Sequence, residues 1–416
     1  MRVSVFTPTH NPQWLGDIWR LLKDQPFYEW VIVPNGAARM ETIPREIRLN
    51  KRAKVIPYEG SSNIGSIKNF TCSKCTGDIM LELDHDDLLL PGAVEAVEDA
   101  FNDNNVVFAY SDSANFNDDG SPVRDYRADY GWTYRTCNFE DTEYRVPNRP
   151  HHSAYHVSLI WFAPNHLRAW RSDAYYKVGG HDSELSICDD QDIMCKLFQE
   201  GEFVYIPDLY YLYRIYGGNT WLQRNKAIQT KTKELQKQHL RSMIEAECKE
   251  ELKIDICGAF GCPEGYTSVD LRNAEITCDL TTSWPFEDSS VGVVRACDAL
   301  EHLKDPVHTM SEIFRVLRPG GYVISDTPST CGPNGESGMG AFQDPTHVSF
   351  WNKNSFWYYT RRQQAKYIEN KDIRFFPIIL ENYFPSDWHR QNYIPYTRAD
   401  LICLKNDFRP YGPIEI

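Results

Sequence analysis

The sequence lacks both a long apolar run and an excess of positive charge. No stretch approaches the roughly 20 apolar residues that cross a membrane. The formal charge of −14 over 416 residues argues against nucleic acid or an anionic membrane as the main partner. The chain opens on a strand pattern, Val3 to Phe6, with no apolar signal-peptide core before it. We therefore expect a cytoplasmic location, which would be the host cytoplasm for a viral chain.

The twelve cysteines form no zinc-binding pattern. Cys72 and Cys75 make the single C-x-x-C pair, and no second pair stands at zinc spacing. Without a secretory signal, we expect the cysteines to be reduced thiols. An internal repeat is also absent, which excludes a duplicated domain. The length is nevertheless sufficient for two or three domains, each with its own core.

The first half contains a regular alternation of strand and helix patterns. Apolar runs typical of strands occupy residues 3–7, 29–33, 54–57 and 79–83, and helical spacing occupies residues 14–22 and 63–75. This alternation predicts a parallel, doubly wound α/β sheet that binds its ligand at the carboxyl ends of the strands. Residues 219–250 are polar, with loose helical spacing of their apolar residues. We predict domains over residues 1–220 and 251–416, joined by a helical linker over 221–250.

Three carboxylates, Asp84, Asp86 and Asp87, follow the strand over residues 79–83. Burying such a cluster without partners would be costly, so it should face a cation or water. Two carboxylates two positions apart at a strand end can hold Mg²⁺ or Mn²⁺ and leave positions open for phosphate oxygens. The alternative is a solvated acidic turn.

Short motifs follow one another through the first half, over residues 5–11, 31–36, 63–69, 83–87, 110–112, 178–192 and 213–214. These motifs and their order resemble those of family 2 glycosyltransferases, which are GT-A enzymes that use nucleotide-diphosphate sugars. The resemblance implies a UDP-, GDP- or dTDP-sugar donor, with Mn²⁺ or Mg²⁺ on its diphosphate held by the three aspartates. It also implies donor contacts from Thr7, Pro8, Asn35 and Arg214. The chain departs from the family at Tyr216, where a histidine is common.

A second acidic pair, Asp189 and Asp190, opens a helical pattern. A carboxylate there is stabilised by the helix dipole and can either cap the helix or project into a cleft. The resemblance implies that Asp190 is the base for the acceptor hydroxyl and that Asp189 supports it. One base and a single displacement would invert the anomeric centre, with a glycan or lipid-linked glycan as acceptor. The aromatic- and arginine-rich segment between Asp112 and Trp170 is either an acceptor platform or an insertion with its own small core.

A second α/β series begins at Leu252. Its strand patterns, the stretch Leu300-Glu301-His302 and the run over residues 316–321 resemble class I S-adenosylmethionine-dependent methyltransferases. The fold class predicted for the chain is therefore α/β, with two doubly wound Rossmann-like domains, GT-A first. Asp270 would hold the ribose of the cofactor and Asp279 its adenine. His302 is implied as the base for a methyl-accepting hydroxyl. The cofactor contacts implied as a set are Gly258, Gly261, Asp270, Asp279 and Asp298.

The glycine turn of this second series departs from the family pattern. Cys257 and Ala259 stand where the family has glycines, although Gly258 and Gly261 can build a shifted turn. A Cβ atom at a position that needs positive φ hinders close approach of a cofactor. Residues 344–347 resemble the family's substrate-side loop. His302 and His347 could alternatively be satisfied core histidines.

The leading hypothesis is an enzyme of glycan assembly that transfers a sugar with inversion and also O-methylates the sugar or glycan. One alternative is a glycosyltransferase that carries an inactive methyltransferase module. Another is a non-catalytic, glycan-binding scaffold. The set Asp84, Asp86 and Asp190 counts against the scaffold, because a lectin needs no base.

Overall fold

The computed structural model describes residues 1–368 and 372–413. It divides the chain into two compact units, Met1–Glu247 and Cys248–Ile416. Each unit contains a sheet with helices, which confirms the predicted α/β fold class. Among the described residues, no helix is both long and apolar enough to cross a membrane.

The first unit is organised on one mixed sheet. Its strands, with those of a separate hairpin, are β1 Val3–Thr9, β2 Glu29–Pro34, β3 Ala53–Val55, β4 Ile79–Glu82, β5 Leu88–Leu89, β6 Val106–Phe116, β7 Tyr134–Phe139, β8 Thr142–Pro147, β9 Arg168–Arg171 and β10 Glu202–Arg214. The sheet has the order β3-β2-β1-β4-β9-β6-β10-β5, and β7 and β8 form the hairpin. β1 is parallel to β2 and β4, as predicted. β9 is antiparallel to β4 and β6, so the prediction of a parallel sheet was wrong for this part.

Helices cover both faces of this sheet, and β1 and β2 are buried along their whole length. α1 shows why: its apolar residues Leu15, Ile18 and Leu22 recur at helical spacing and enter the core. The helices of this unit are α1 Leu15–Leu22, α2 Arg45–Arg48, α3 Ile64–Cys72, α4 Ala93–Ala100, α5 Ala154–Val157, α6 Ser172–Lys177, α7 Asp189–Phe198, α8 Thr220–Gln223 and α9 Asn225–Glu247.

The helix α9 occupies the stretch that we predicted as a linker. Its apolar residues Leu235, Leu240, Met243 and Ile244 are buried. Polar contacts fix it as well: the His239 imidazole lies 3.0 Å from the Asp192 carboxylate in α7. The structure therefore places this helix within the first unit instead of between two domains.

The aromatic segment before β9 packs mainly on itself and on the sheet. Trp132 and Tyr155 are 5% and 3% exposed. Val146 of β8 joins a small buried cluster with Ala114 and Leu212. This burial favours the insertion with its own core over an acceptor platform, although Tyr126 remains 38% exposed.

The second unit is a doubly wound sheet of its own. Its strands are β11 Lys253–Ile256, β12 Thr267–Asp270, β13 Ile276–Thr277, β14 Val291–Cys297, β15 Leu317–Pro328, β16 Phe375–Tyr383 and β17 Tyr396–Cys403. They are ordered β13-β12-β11-β14-β15-β17-β16, and β17 runs antiparallel to both neighbours. The order reverses direction between β11 and β14, and such a switch point opens a crevice at the carboxyl ends of the strands.

The helices of the second unit are α10 Pro306–Val316, α11 Gly340–Gln343, α12 Trp357–Thr360, α13 Arg362–Ala365 and α14 Asp387–Gln391. α10 begins where Asp305 accepts hydrogen bonds from the backbone of Val307 and His308. Its buried residues Met310, Ile313 and Val316 pack into a core shared with β11 and β14.

Candidate functional site

In the first unit, the acidic stretch begins at the carboxyl end of β4. Asp84 is partly exposed, and burial with neighbouring negative charge raises its pKa to about 7. Asp86 is half-buried. Asp87 is fully buried and accepts hydrogen bonds from the Tyr211 hydroxyl and the Arg214 backbone, each at 2.8 Å. Asp84 and Asp86 thus remain available to a ligand. The two oxygens of Asp87 also hold β10 in place, and its carboxylate lies within 4.8 Å of the ligand atoms of Asp84 and His166, so Asp87 stays a predicted metal ligand.

A buried ion-pair network lies behind these aspartates and centres on Glu82. Its carboxylate pairs with Lys68 at 2.6 Å and with Arg168 at 2.7 Å. Two cations against one buried anion leave positive charge for the neighbouring carboxylates. Lys68 reaches Asp189 at 3.1 Å, and Arg168 reaches Asp190 at 2.8 Å. The network therefore connects β4 with the first turn of α7.

Asp189 and Asp190 differ in exposure and in charge. The Asp189 side chain is 7% exposed and the Asp190 side chain 26%. Burial raises the pKa of Asp189. Burial would also raise the pKa of Asp190, but the charges of Arg168 and Lys68 outweigh it and lower that pKa. The preceding Cys188 has φ +57°, a left-handed conformation that is strained for a side chain with a Cβ atom. Asp190 is the more accessible member of the pair, and its lowered pKa favours the ionised form.

Two residues at this site were missed in the sequence, His166 and Arg168. The His166 imidazole lies 3.5 Å from the Asp84 carboxylate and is stacked on Tyr211. Arg168 donates to its Nε2 atom at 3.1 Å, and burial lowers the pKa of His166 far below the ordinary value, so the ring is neutral. A signal for Arg168 was present, because Glu82 inside an apolar strand requires a buried cation.

Two predicted donor contacts have structural roles instead. Arg214 is nearly buried between the rings of Trp14 and Phe116. Its guanidinium donates to the Asp86 carbonyl at 2.6 Å and pairs with Asp118. The prediction of a free diphosphate contact at Arg214 was therefore wrong.

Thr7 is likewise fully buried in β1, where its hydroxyl accepts from the Trp30 indole at 2.9 Å. Its side chain has a packing role, and we correct the predicted donor contact. Pro8 is also buried in β1. Asn35 follows β2 and is half-buried, with its backbone joined to Thr9, so it stays at the carboxyl edge of the sheet as expected.

In the second unit, the glycine turn is built in spite of its altered sequence. Cys257 adopts φ +58° and Gly261 φ +138°. At Gly258, an added Cβ atom would stand 2.8 Å from the Asp255 carboxylate, so this position accepts only glycine without rearrangement. Asp270 at the end of β12 accepts from the backbone of Ala259 at 3.3 Å and fixes the turn. The glycine turn and Asp270 therefore lie at the carboxyl ends of β11 and β12, beside the switch-point crevice.

The remaining two predicted cofactor residues are solvent-accessible. Asp279 accepts hydrogen bonds from the backbone and hydroxyl of Thr281, and these bonds lower its pKa. Asp298 is exposed after β14 with φ +47°. Burial and the negative charge of Asp298 raise the pKa of Tyr396. The carboxylates of Asp279 and Asp298 are both accessible to a ligand.

Beyond β14, a short turn over Leu300–His302 brings three groups together: Glu301, His302 and His347. Glu301 is 2% exposed, and burial raises the pKa of its carboxyl. The rings of His302 and His347 are 5.1 Å apart. His302 is exposed to solvent, as a residue that meets a substrate must be.

Two segments of the chain match known family models. Residues 4–164 match the model described as glycosyl transferase family 2. Residues 243–325 match the model described as a methyltransferase domain. The first match includes the acidic stretch after β4, and the second includes the glycine turn, Asp270 and His302.

Curated relatives match the two halves separately. A hyaluronan synthase of Pasteurella multocida is 24% identical over 186 residues, 44% of this chain and 17% of that protein. A probable S-adenosylmethionine-dependent methyltransferase of Mycolicibacterium smegmatis is 41% identical over 64 residues, 15% of this chain and 23% of that protein. The chain thus spans less than a quarter of the length of these relatives. Among solved structures, S. aureus TarS 1-349 in complex with UDP-GlcNAc is 15% identical, with a TM-score of 0.42, 60% of this chain covered and 74% of that one.

Proposed function

The chain carries a family 2 glycosyltransferase domain and a methyltransferase domain, and we propose that it both glycosylates and methylates a glycan. The first unit moves a sugar from a UDP-, GDP- or dTDP-sugar to a hydroxyl of a glycan or lipid-linked glycan, with inversion. The second unit transfers a methyl group to a hydroxyl of that sugar or glycan. One observation carries the sugar transfer: Asp190, the more accessible acid of its pair and the one with a lowered pKa, is fixed at the start of α7 by Arg168.

Asp190 is the proposed base of the sugar transfer. The acceptor oxygen bonds to the anomeric carbon while the bond from that carbon to the diphosphate oxygen breaks. The acceptor proton passes to the Asp190 carboxylate. Because this is one displacement, the anomeric configuration inverts. Asp189, held by Lys68 at 3.1 Å, keeps the first turn of α7 in position.

Asp84 and Asp86, with Asp87 beside them, are the carboxylates that would hold Mn²⁺ or Mg²⁺, since hard cations prefer oxygen ligands. Such an ion would offset the charge that develops on the departing diphosphate. The raised pKa of Asp84 is consistent with this role, because burial and then the charges of Glu82 and Asp86 disfavour its ionised form, which a bound cation would stabilise. His166, 3.5 Å from Asp84, can add a neutral imidazole to the same set.

In the second unit, Asp270 would hold the cofactor ribose and Asp279 its adenine, with Gly258, Gly261 and Asp298 around them. S-adenosylmethionine would supply the methyl group. His302, beside the crevice and exposed, would take the proton of the accepting hydroxyl. Cys257 supports the cofactor assignment, because its left-handed φ reproduces the turn that glycine would otherwise make.

The sugar transfer is tested by Asp190→Asn. We expect transfer to fall by at least about a thousandfold, within the range that general-base catalysis contributes. Binding of the nucleotide-sugar donor, measured by calorimetry, should persist. Asp173→Asn is the matched control, because Asp173 also lies in the first turn of a helix, α6, but is exposed. Full transfer by Asp190→Asn would remove Asp190 as the base.

A second candidate, a glycosyltransferase with an inactive methyltransferase module, is favoured by the side chains of Cys257 and Ala259 at the glycine turn. Titration with S-adenosylhomocysteine separates the two, because this product needs no acceptor. Micromolar binding that is lost in Asp270→Ala would support the bifunctional enzyme. Absence of binding at millimolar ligand would mean that the second unit does not use the cofactor.

A further inference from the structure

Three side chains of metal-binding type converge in the second unit. Glu301 and His302 lie in the turn after β14, and His347 comes from the loop after α11. Their ligand atoms all lie within 4.8 Å of one another. Carboxylate and imidazole groups at this spacing present lone pairs to one small volume, which is the arrangement that a single cation can share.

The Glu301 carboxylate is only half satisfied. Its Oε2 atom accepts from the Thr327 hydroxyl at 2.9 Å. Its Oε1 atom is buried and has no hydrogen-bond partner in the described structure. The side chain as a whole is 2% exposed. An unpartnered oxygen on a buried carboxylate is costly, and a cation is the partner that would remove this cost.

Both imidazoles are oriented by their other nitrogen. The Nδ1 atom of His347 lies 3.0 Å from the Ala341 carbonyl, and the Nδ1 atom of His302 lies 3.3 Å from the Thr346 carbonyl. A carbonyl oxygen only accepts, and the Thr346 hydroxyl, also 3.3 Å from His302 Nδ1, donates its own proton to Asp344 at 2.6 Å. Nδ1 therefore carries the proton in each ring, and Nε2 presents a lone pair. Metal-bound histidines in proteins are typically held in this way.

We propose that Glu301, His302 and His347 bind a divalent transition-metal ion of the zinc class. Two imidazoles and one carboxylate are three protein ligands, a set that leaves a fourth position open for an oxygen atom. Ligands about 2.1 Å from one ion stand about 3.4 Å apart in a tetrahedron. Small side-chain rotations from the present spacing would suffice to reach it. A core-histidine role fits less well, because His302 is exposed.

The role of the ion rests on the proposed methyl transfer, whereas the site itself does not. A hydroxyl in the open position loses its proton more readily, because the positive charge stabilises the oxyanion. The hydroxyl proton leaves to solvent. The oxygen then bonds to the methyl carbon while the bond from that carbon to the cofactor sulfur breaks. In this scheme His302 is a metal ligand. The ion, and not His302 as a base, promotes the loss of the hydroxyl proton.

Cobalt(II) is the probe, because its visible absorption reports imidazole ligation in a four-coordinate site. The test uses the full chain, freed of metal with a chelator, in an Asp84→Asn, Asp86→Asn background that removes the proposed site of the first unit. We expect one Co²⁺ per chain. His302→Ala, His347→Ala and Glu301→Gln should each weaken binding more than about tenfold, at least the loss that an outer-shell partner causes.

The Glu301→Gln variant keeps an oxygen for Thr327 and replaces the proposed ligand oxygen with an uncharged amide nitrogen. His308→Ala is the matched control, because His308 also contacts a carbonyl in this unit, Thr282 at 2.9 Å, but lies outside the cluster. Circular dichroism and the thermal midpoint verify that each variant folds. The proposal is overturned if the background protein binds no Co²⁺, or if His302→Ala and His347→Ala keep its spectrum. Titration with S-adenosylhomocysteine on the same samples tests the methyl transfer separately.

Discussion

Arg168 and Asp190 form a 2.8 Å ion pair that joins β9 to the first turn of α7. The same guanidinium donates to Glu82 of β4 at 2.7 Å. One side chain therefore connects the strand that leads to the proposed metal ligands with the helix that carries the proposed base. Because arginine stays protonated throughout the range in which proteins fold, this connection does not depend on its titration.

Replacing Arg168 by glutamine should destabilise the first unit by about 3 kcal/mol, the lower end of the loss when one partner of a buried pair is removed. We expect the lower end because Lys68 still neutralises Glu82. Urea unfolding of the first unit measures the effect. Arg171→Gln is the control, since Arg171 on the same strand donates only to backbone carbonyls and the Met1 sulfur. Equal losses for the two variants would contradict a special role for the ion-pair network.

The raised pKa of Asp84, about 7, predicts how metal binding depends on pH. Below this pKa the carboxyl holds a proton that an ion must displace, so Mn²⁺ affinity should fall by up to about tenfold per pH unit. Above it, affinity should level off. Calorimetric titration with Mn²⁺ between pH 5.5 and 8 measures this dependence, and a flat profile would contradict the assignment.

The same shift has a consequence for stability. An unfolded aspartate has a pKa of about 3.9, so between about pH 4 and 7 the folded chain binds more protons at Asp84 than the unfolded chain. The contribution of this group to the free energy of unfolding therefore falls as pH rises through that window. Asp84→Asn should reduce that fall, and urea unfolding at pH 5 and 7.5 measures the difference.

Two glycines of the first unit should respond in opposite directions to alanine. At Gly65 in α3 a Cβ atom would stand 1.9 Å from the Asp182 carbonyl oxygen, next to the loop that leads to α7. We expect Gly65→Ala to destabilise by about 1–3 kcal/mol and to weaken sugar transfer, because α3 also carries Lys68. At Gly16 in α1 a Cβ atom would meet nothing within 4 Å. Gly16→Ala should stabilise by about 0.5–1 kcal/mol, and equal effects in urea unfolding would refute this contrast.

The helix α9 should be required for folding of the first unit. A fragment over residues 1–247 retains the buried face of α9, including Leu240 and Met243. A fragment over residues 1–224 loses it and exposes the apolar surfaces that α9 covers. We expect cooperative thermal unfolding of the longer fragment and aggregation of the shorter one, followed by calorimetry and light scattering. If the fragment over residues 1–224 were as stable as the longer one, α9 would be a linker and not part of the first unit.

The parts of the site that could be predicted from the sequence are those whose residues lie close together along the chain. Asp84 and Asp86 follow an apolar strand directly, and Asp189 and Asp190 open a helical pattern, so local rules suffice for both. Arg168 could not be found in this way, because its partner Glu82 is 86 positions away. Glu82 in an apolar strand signalled a buried cation without indicating which one.

The wrong assignments have a similar physical cause. Arg214 resembled a phosphate ligand by its motif, but Trp14 and Phe116 from distant parts of the chain enclose it. The loose apolar spacing in α9 is compatible with an exposed linker and with a packed helix, and only the opposing surfaces of α5 and α7 decide between them. Periodicity along the chain predicts elements; it does not report which elements meet.

The position of β17 has a consequence for the order of events during synthesis. In the sheet of the second unit, β16 has β17 as its neighbour, and β17 separates it from β15. Residues 375–383 therefore leave the ribosome before the strand that must pair with them exists. The first unit, whose strands are complete by Arg214, can fold while the second is still being made. During that interval β15 and β16 expose open edges, so a nascent chain stalled before residue 396 should be the species that chaperones hold.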